Sequence, residues 1–193
     1  GSFAVMLLVL LSAVLTVGVL FSLLGYILIR GIPQLTPSLF SLTYTTENVS
    51  MLPAILNTVT MTALSLLLAV PLGVGSAIYL VEYAKRGNRL VELVRLTAET
   101  LSGIPSIVYG LFGYLFFVIA CKMGNSLLSG ILTLTIMILP LIMRTTEEAL
   151  KSVPDAYREG SFGLGAGRLR TVFCIVLPSA APGILAGVIL GIG

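Results

Sequence analysis

Five long intervals of the chain carry no charged residue: Phe3–Ile29, Asn48–Val81, Thr100–Cys121, Met123–Met143 and Thr171–Gly193. Within them the apolar residues run on continuously instead of alternating, which excludes the two-residue period of a membrane β-barrel. A helix needs about 20 apolar residues to cross a bilayer. The second interval, 34 residues long, therefore holds some loop, and Pro53 marks where its helix begins. The pattern predicts five transmembrane helices, over 4–29, 54–81, 103–120, 126–143 and 172–193. The first interval has 27 residues and no basic segment ahead of it, which argues against a cleaved signal peptide.

Composition agrees. Of 193 residues 57% are hydrophobic and 10% charged, with a mean hydropathy of +1.09, where a soluble domain has about 25% charged residues to cover its core. The expected class is an all-α integral membrane protein, a polytopic helix bundle in one transmembrane domain over 1–193. Its surroundings are membrane lipid and protein partners, with no nucleic acid. There is no His, so imidazole chemistry is absent, and two Cys cannot make a structural zinc site alone. The chain opens at Gly1 without Met and stops at Gly193 inside an apolar run, as a piece of a longer protein would.

Eleven Lys and Arg orient the bundle. Segment 82–99 holds Lys85, Arg86, Arg89 and Arg95, and segment 144–170 holds Arg144, Lys151, Arg158, Arg168 and Arg170. Only Arg30 and Lys122 fall in the alternating segments. The positive-inside rule then puts 82–99, 144–170 and the N-terminus in the cytoplasm. Seven of the eight acidic residues also lie in those two segments, a mixture that suits protein docking better than lipid binding. Cys121 and Cys174 fall at opposite ends of the bilayer, too far apart to pair, and read as apolar packing residues.

Small residues form two ridges at four-residue spacing: Ser65, Ala69, Gly73 and Ala77 on the second helix, and Ser179, Gly183, Gly187 and Gly191 on the fifth. Close helix approach in lipid needs such ridges. Packing within the bundle, a subunit interface and a translocation path all fit them. Pro71, Pro105, Pro140, Pro178 and Pro182 sit in or at the ends of helices, where kinks are tolerated. No charge lies inside a span, which argues against an ion-coupled secondary transporter.

Segment 82–99 reads as an interfacial helix, with Leu90, Val91, Val94 and Ala98 on one side and Arg89, Glu92, Arg95 and Glu99 on the other. Segment 144–170 is longer. Ser152-Val153-Pro154-Asp155 reads as a helix start with Ser152 as N-cap. The helix then runs to Leu164 and stops at Gly165. Val153, Ala156, Tyr157, Gly160 and Leu164 share one face of it.

From Glu159 the chain reads Glu-Gly-Ser-Phe-Gly-Leu-Gly165, then nine residues, then Ile175-Val176-Leu177-Pro178. This resembles the E-A-A, three residues, G, nine residues, I-x-L-P motif of ABC importer permeases, with Gly160 and Ser161 where that family prefers Ala. The stretches Ala69–Tyr83, Gly103–Gly113 and Leu139–Glu148 are similar to the phosphate-specific, PstA-like branch of that family. The resemblance implies a MetI-like fold, with a sixth helix and a G-R-x-x-G-E-T-A segment beyond Gly193. It also implies a non-catalytic subunit of a prokaryotic cell membrane, binding no cofactor itself, while ATP is used by a partner. The implied partners are a PstC-like permease subunit, a PstB-like ATPase dimer and an extracytoplasmic phosphate-binding protein. The residues it assigns to ATPase coupling are Val153, Ala156, Tyr157, Glu159, Gly160, Ser161, Leu164, Gly165, Ile175, Leu177 and Pro178. It leaves the substrate-binding residues unknown. Importers of sulfate or molybdate share the motif, whereas an ATP-independent channel or scaffold would leave the loop unexplained.

Overall fold

In the computed structural model residues 2–46, 49–85 and 87–193 are described. Gly1, Asn48 at the start of the second charge-free interval, and Arg86 of the basic segment 82–99 lie outside them. The described residues are helical with no strand. Four helices are long and apolar enough to cross a membrane: Phe3–Gln34, Leu52–Tyr83, Leu127–Lys151 and Arg168–Ile192. A fifth span arises if the consecutive helices Arg89–Ser102 and Ser106–Ala120, bent by 102°, count as one.

The chain divides into two compact units, Gly1–Asn57 and Thr58–Gly193. The first contains α1, Ser2–Gly31, apolar on every side as lipid surroundings require. Pro33 and Pro37 then open two short 3₁₀ turns, and the Met51 N–H donates to the Leu39 carbonyl. The Ser50 hydroxyl donates to the Ser41 carbonyl. α2 begins at Leu52 with Pro53 in its first turn, where a missing N–H costs nothing.

The second unit is built around α5, Leu127–Lys151. α2, Leu52–Ile78, widens into a π-helical turn over Tyr79–Tyr83. Its small-residue ridge is wholly buried: Ser65, Ala69 and Ala77 have no exposed surface. Ser65 donates to the Ile131 carbonyl of α5 at 3.2 Å, and a Cβ on Gly73 would come within 2.7 Å of the Ile142 side chain. α8, Leu177–Ile192, meets α5 in the same way. A Cβ on Gly183 would lie 2.7 Å from Ala149, one on Gly187 2.1 Å from the Thr145 hydroxyl, and one on Gly191 3.1 Å from Ile138. Both ridges are thus spent on packing inside the bundle, except that Ser179 is exposed and bonds its own helix at Ile175. Without a hydrophobic drive between helices in lipid, this close approach is what holds them.

α3, Arg89–Ser102, starts at Asn88, whose side chain accepts from the Leu90 N–H at 3.0 Å. Its expected apolar side is divided: Val91 and Ala98 pack into a core with Leu80, Met143 and Leu150, while Leu90 and Val94 are exposed. α4, Ser106–Gly113, continues as a π-helical turn through Ala120, so the helix expected over 103–120 begins at Ser106. The Tyr109 hydroxyl donates to the Leu101 carbonyl at 2.9 Å, which fixes the bend at Pro105 by capping α3. Cys121 and Cys174 are free and exposed, so the expectation that both are packing residues is corrected. Cys121 follows the π-helical turn that ends at Ala120, and Cys174 lies within a second π-helical turn, Val172–Val176.

Candidate functional site

The site is the corner where α5 turns back toward α8. α5 continues past Met143 because Arg144–Glu148 at 3.2 Å and Lys151–Glu147 at 2.7 Å are helical i,i+4 pairs. The chain breaks only at 152–154. Ser152 is not the N-cap expected for the next helix. It ends α5, its hydroxyl donating to the Ala149 carbonyl at 2.8 Å, because a hydroxyl one turn from free carbonyls finds an acceptor there before it finds an N–H. Pro154 is the residue ahead of α6, Asp155–Gly163.

α6 ends as its sequence predicts. Gly165 adopts φ +83°, the Ala166 N–H donates to the Ser161 carbonyl at 3.1 Å, and the Gly165 N–H donates to the Phe162 carbonyl at 2.9 Å. These two bonds are a Schellman motif, which satisfies the last carbonyls and turns the chain out of the helix. A short helix α7, Arg168–Thr171, and a π-helical turn over Val172–Val176 lead into α8.

The residues singled out from the sequence separate into groups. Ala156, Tyr157, Gly160, Leu164 and Gly165 line one open groove of about 600 Å³ with Ser161 and Ile175. Leu164 is 92% exposed and Tyr157 53%, so the groove presents large apolar side chains at the surface. Val153 is turned the other way and is buried with Leu150, Val172 and Val176. It lies ahead of α6, so the helical spacing that placed it on the same face does not apply. Glu159 is exposed outside the groove, Leu177 packs partly against the core, and Pro178 is exposed in the first turn of α8. The Ser161 hydroxyl is bonded at 2.8 Å to that of Thr171, both buried.

Two charged clusters behind the groove were legible only as orientation signals. Arg158 donates from Nε and Nη2 to Glu82 Oε1 at 3.0 and 2.8 Å. It also donates to the carbonyls of Leu150 and Val153 and to Asp155. Its side chain is 14% exposed and that of Glu82 8%. Glu147 pairs with both Arg95 and Lys151 at 2.7 Å, and Arg95 reaches the Leu80 carbonyl. A signal did exist, since Glu82 is the first charge after a charge-free interval of 34 residues. A carboxylate at that depth calls for a partner.

A model of the family described as binding-protein-dependent transport system inner membrane component matches residues 69–193, from the middle of α2 through the groove and α8. The chain belongs to that family. Its bundle is accordingly of the MetI-like permease type. The probable ABC transporter permease protein YqgI of Bacillus subtilis is 36% identical over 190 residues, covering 95% of this chain and 63% of that protein. The phosphate transport system permease protein PstA 1 of Mycobacterium tuberculosis is 37% identical over 139 residues, covering 72% of this chain and 44% of the relative. PstA of Yersinia pestis is 39% identical over 123 residues, 63% of this chain and 41% of its own. The chain thus spans roughly half the length of the curated relatives it matches.

Proposed function

We propose that the chain is a permease subunit of an ATP-driven phosphate importer, contributing half of the translocation path and docking its ATPase through residues 153–165. The observation that carries the proposal is the α6 corner: an exposed apolar groove closed off at its end by the Schellman turn at Gly165. Such a surface on a membrane bundle suits a partner of matching shape, with Tyr157 and Leu164 as the side chains that enter it. Phosphate is supported by relatives named as phosphate transport system permeases. The excess of Lys and Arg in 82–99 and 144–170 supports a cytoplasmic α6 and N-terminus in a prokaryotic cell membrane.

In this reading the chain binds no cofactor and performs no covalent step. ATP binding closes a PstB-like ATPase dimer, and α6 follows the ATPase surface it sits on. The bundle and a PstC-like subunit then switch between outward and inward access, with an extracytoplasmic binding protein delivering phosphate. A second reading is permease of another oxyanion importer; the relative covering 95% of the chain is named only as a probable ABC transporter permease.

The test is labelled phosphate uptake by the full-length protein and its cognate partners in proteoliposomes, with and without ATP, with sulfate as competitor. ATP-dependent uptake that sulfate does not compete supports the phosphate importer. Competition by sulfate moves the substrate, and uptake indifferent to ATP replaces the importer by a channel.

A further inference from the structure

α6 is continuous in the chain with α5 on one side and with α7 and α8 on the other, so any displacement of α6 pulls on those helices directly. α2 has no such connection. Glu82, at its end, and Arg158, on α6, are 76 positions apart in sequence. The Arg158–Glu82 pair is, among the described residues, the one ion pair that joins α6 to that end of α2.

Its construction is one-sided. Arg158 is fixed to its own corner by three bonds: to the Val153 carbonyl at 2.8 Å, the Leu150 carbonyl at 2.9 Å and Asp155 at 3.1 Å. The guanidinium therefore moves with the α5–α6 corner, and its remaining edge, Nε and Nη2, points at Glu82. Glu82 sits in the π-helical turn Tyr79–Tyr83, a wider turn of the kind that concentrates at functional sites. Beyond it α2 carries the buried Ser65–Ala77 ridge that lies on α5. Removing two charges from water is expensive, and a pair of apolar residues would hold these helices together as well or better. A directional, charged contact at this place suits transmission better than adhesion.

We propose that Arg158 and Glu82 form a strut that carries displacement of α6 into α2, so that both are positioning residues for the transport cycle. This rests on the reading of α6 as the ATPase-docking helix. Substitution of Glu82 cuts the strut while leaving the bonds of Arg158 to its own corner in place.

The experiment uses the complete transporter in proteoliposomes, reading phosphate imported per ATP hydrolysed, with assembly checked by size-exclusion chromatography. Wild type, Glu82→Gln, Glu82→Ala, Glu82→Asp and, as a control on an exposed pair, Glu148→Gln are compared. Glu82→Gln and Glu82→Ala complexes are expected to assemble and to hydrolyse ATP near the wild-type rate, with phosphate per ATP falling about tenfold, a usual size for lost coupling. Glu82→Asp recovers part of the ratio, and Glu148→Gln keeps it. An unchanged ratio in Glu82→Gln overturns the strut, including where Glu82→Ala fails to assemble. Uptake and hydrolysis lost together, with no recovery in Glu82→Asp, overturn it in favour of a purely structural pair. Wild type without ATP-dependent uptake overturns the underlying reading instead.

Discussion

The hydroxyl of Ser161 lies 2.8 Å from that of Thr171, and both residues are buried, at 5% and 1% exposure. The bond ties α6 to the first turn leading into α8, two elements separated by the Gly165 turn. Thr171 has a second acceptor, the Gly167 carbonyl at 3.2 Å, so it keeps a partner when Ser161 is lost. Ser161→Ala should therefore cost about 1 kcal/mol, the net worth of one hydrogen bond. Ser161→Leu should cost more, because Ser161 is 5% exposed against Thr171 and a larger side chain there adds overpacking strain. Thermal unfolding of the full-length protein in detergent measures both, and a larger loss for Ala than for Leu would contradict the packing described.

Gly165 makes a different demand. A Cβ there would meet nothing within 4 Å, yet φ is +83°, so the penalty on a side chain is conformational and not steric. Gly165→Ala should cost about 1–2 kcal/mol, and Gly165→Asn less, because Asn tolerates the left-handed region. Gly165→Pro should be worse than either. It cannot adopt positive φ and it deletes the N–H that bonds Phe162. On the proposed function, the proline variant inserts into the membrane but loses ATP-dependent uptake. Uptake assays set beside membrane-fraction immunoblots separate those two effects.

These residues show what the sequence does and does not carry. Gly165 is legible because a helix end in the left-handed region has few alternatives to glycine, so a single letter predicts a φ angle. The apolar spans are legible because nothing else in a chain explains 21 or more residues without a charge. Ser152 misleads because a hydroxyl before Pro-Asp fits the end of one helix as well as the start of the next. Val153 misleads for a related reason: periodicity tells which residues share a face only inside one helix. The sequence marks Glu82 as a carboxylate in need of a partner, but nothing in one dimension picks out Arg158, 76 positions on, as that partner. The ridges on α2 and α8 left several readings open, and only coordinates show that both close on α5.

The α8 ridge can be tested on its own. A Cβ on Gly187 would lie 2.1 Å from the Thr145 hydroxyl, whereas one on Gly75 of α2 meets nothing within 4 Å. Gly187→Ala should destabilise by about 1–3 kcal/mol, the usual cost of overpacking. Gly75→Ala should be neutral or gain up to about 1 kcal/mol from helix propensity. Thr145→Gly should restore part of the loss in a Gly187→Ala background, because it removes the atoms that clash. Additive effects of the two substitutions would mean that α5 and α8 do not meet at this point.

The last comparison sets two neighbouring glutamates on α5 against each other. Glu147 is 11% exposed and lies 2.7 Å from both Arg95 and Lys151, joining α3 to α5. Glu148 is 66% exposed and, among the described residues, pairs only with Arg144, at 3.2 Å on the same helix. Exposed pairs of the second kind contribute about 0.3–0.5 kcal/mol. Neutralising Glu147 removes the carboxylate shared by Arg95 and Lys151, and Arg95 at 38% exposed recovers only part of its hydration. Glu147→Gln should therefore cost about 2 kcal/mol, below the roughly 3–5 kcal/mol of breaking a fully buried pair because both cations keep some solvent. Glu148→Gln should cost a few tenths at most, about the worth of an exposed pair. Added salt should weaken the small contribution of Glu148 and leave most of that of Glu147, since buried pairs are screened less. Unfolding of both variants at low and high ionic strength decides the matter, and equal losses for the two would show that α3 is not held to α5 by its charges.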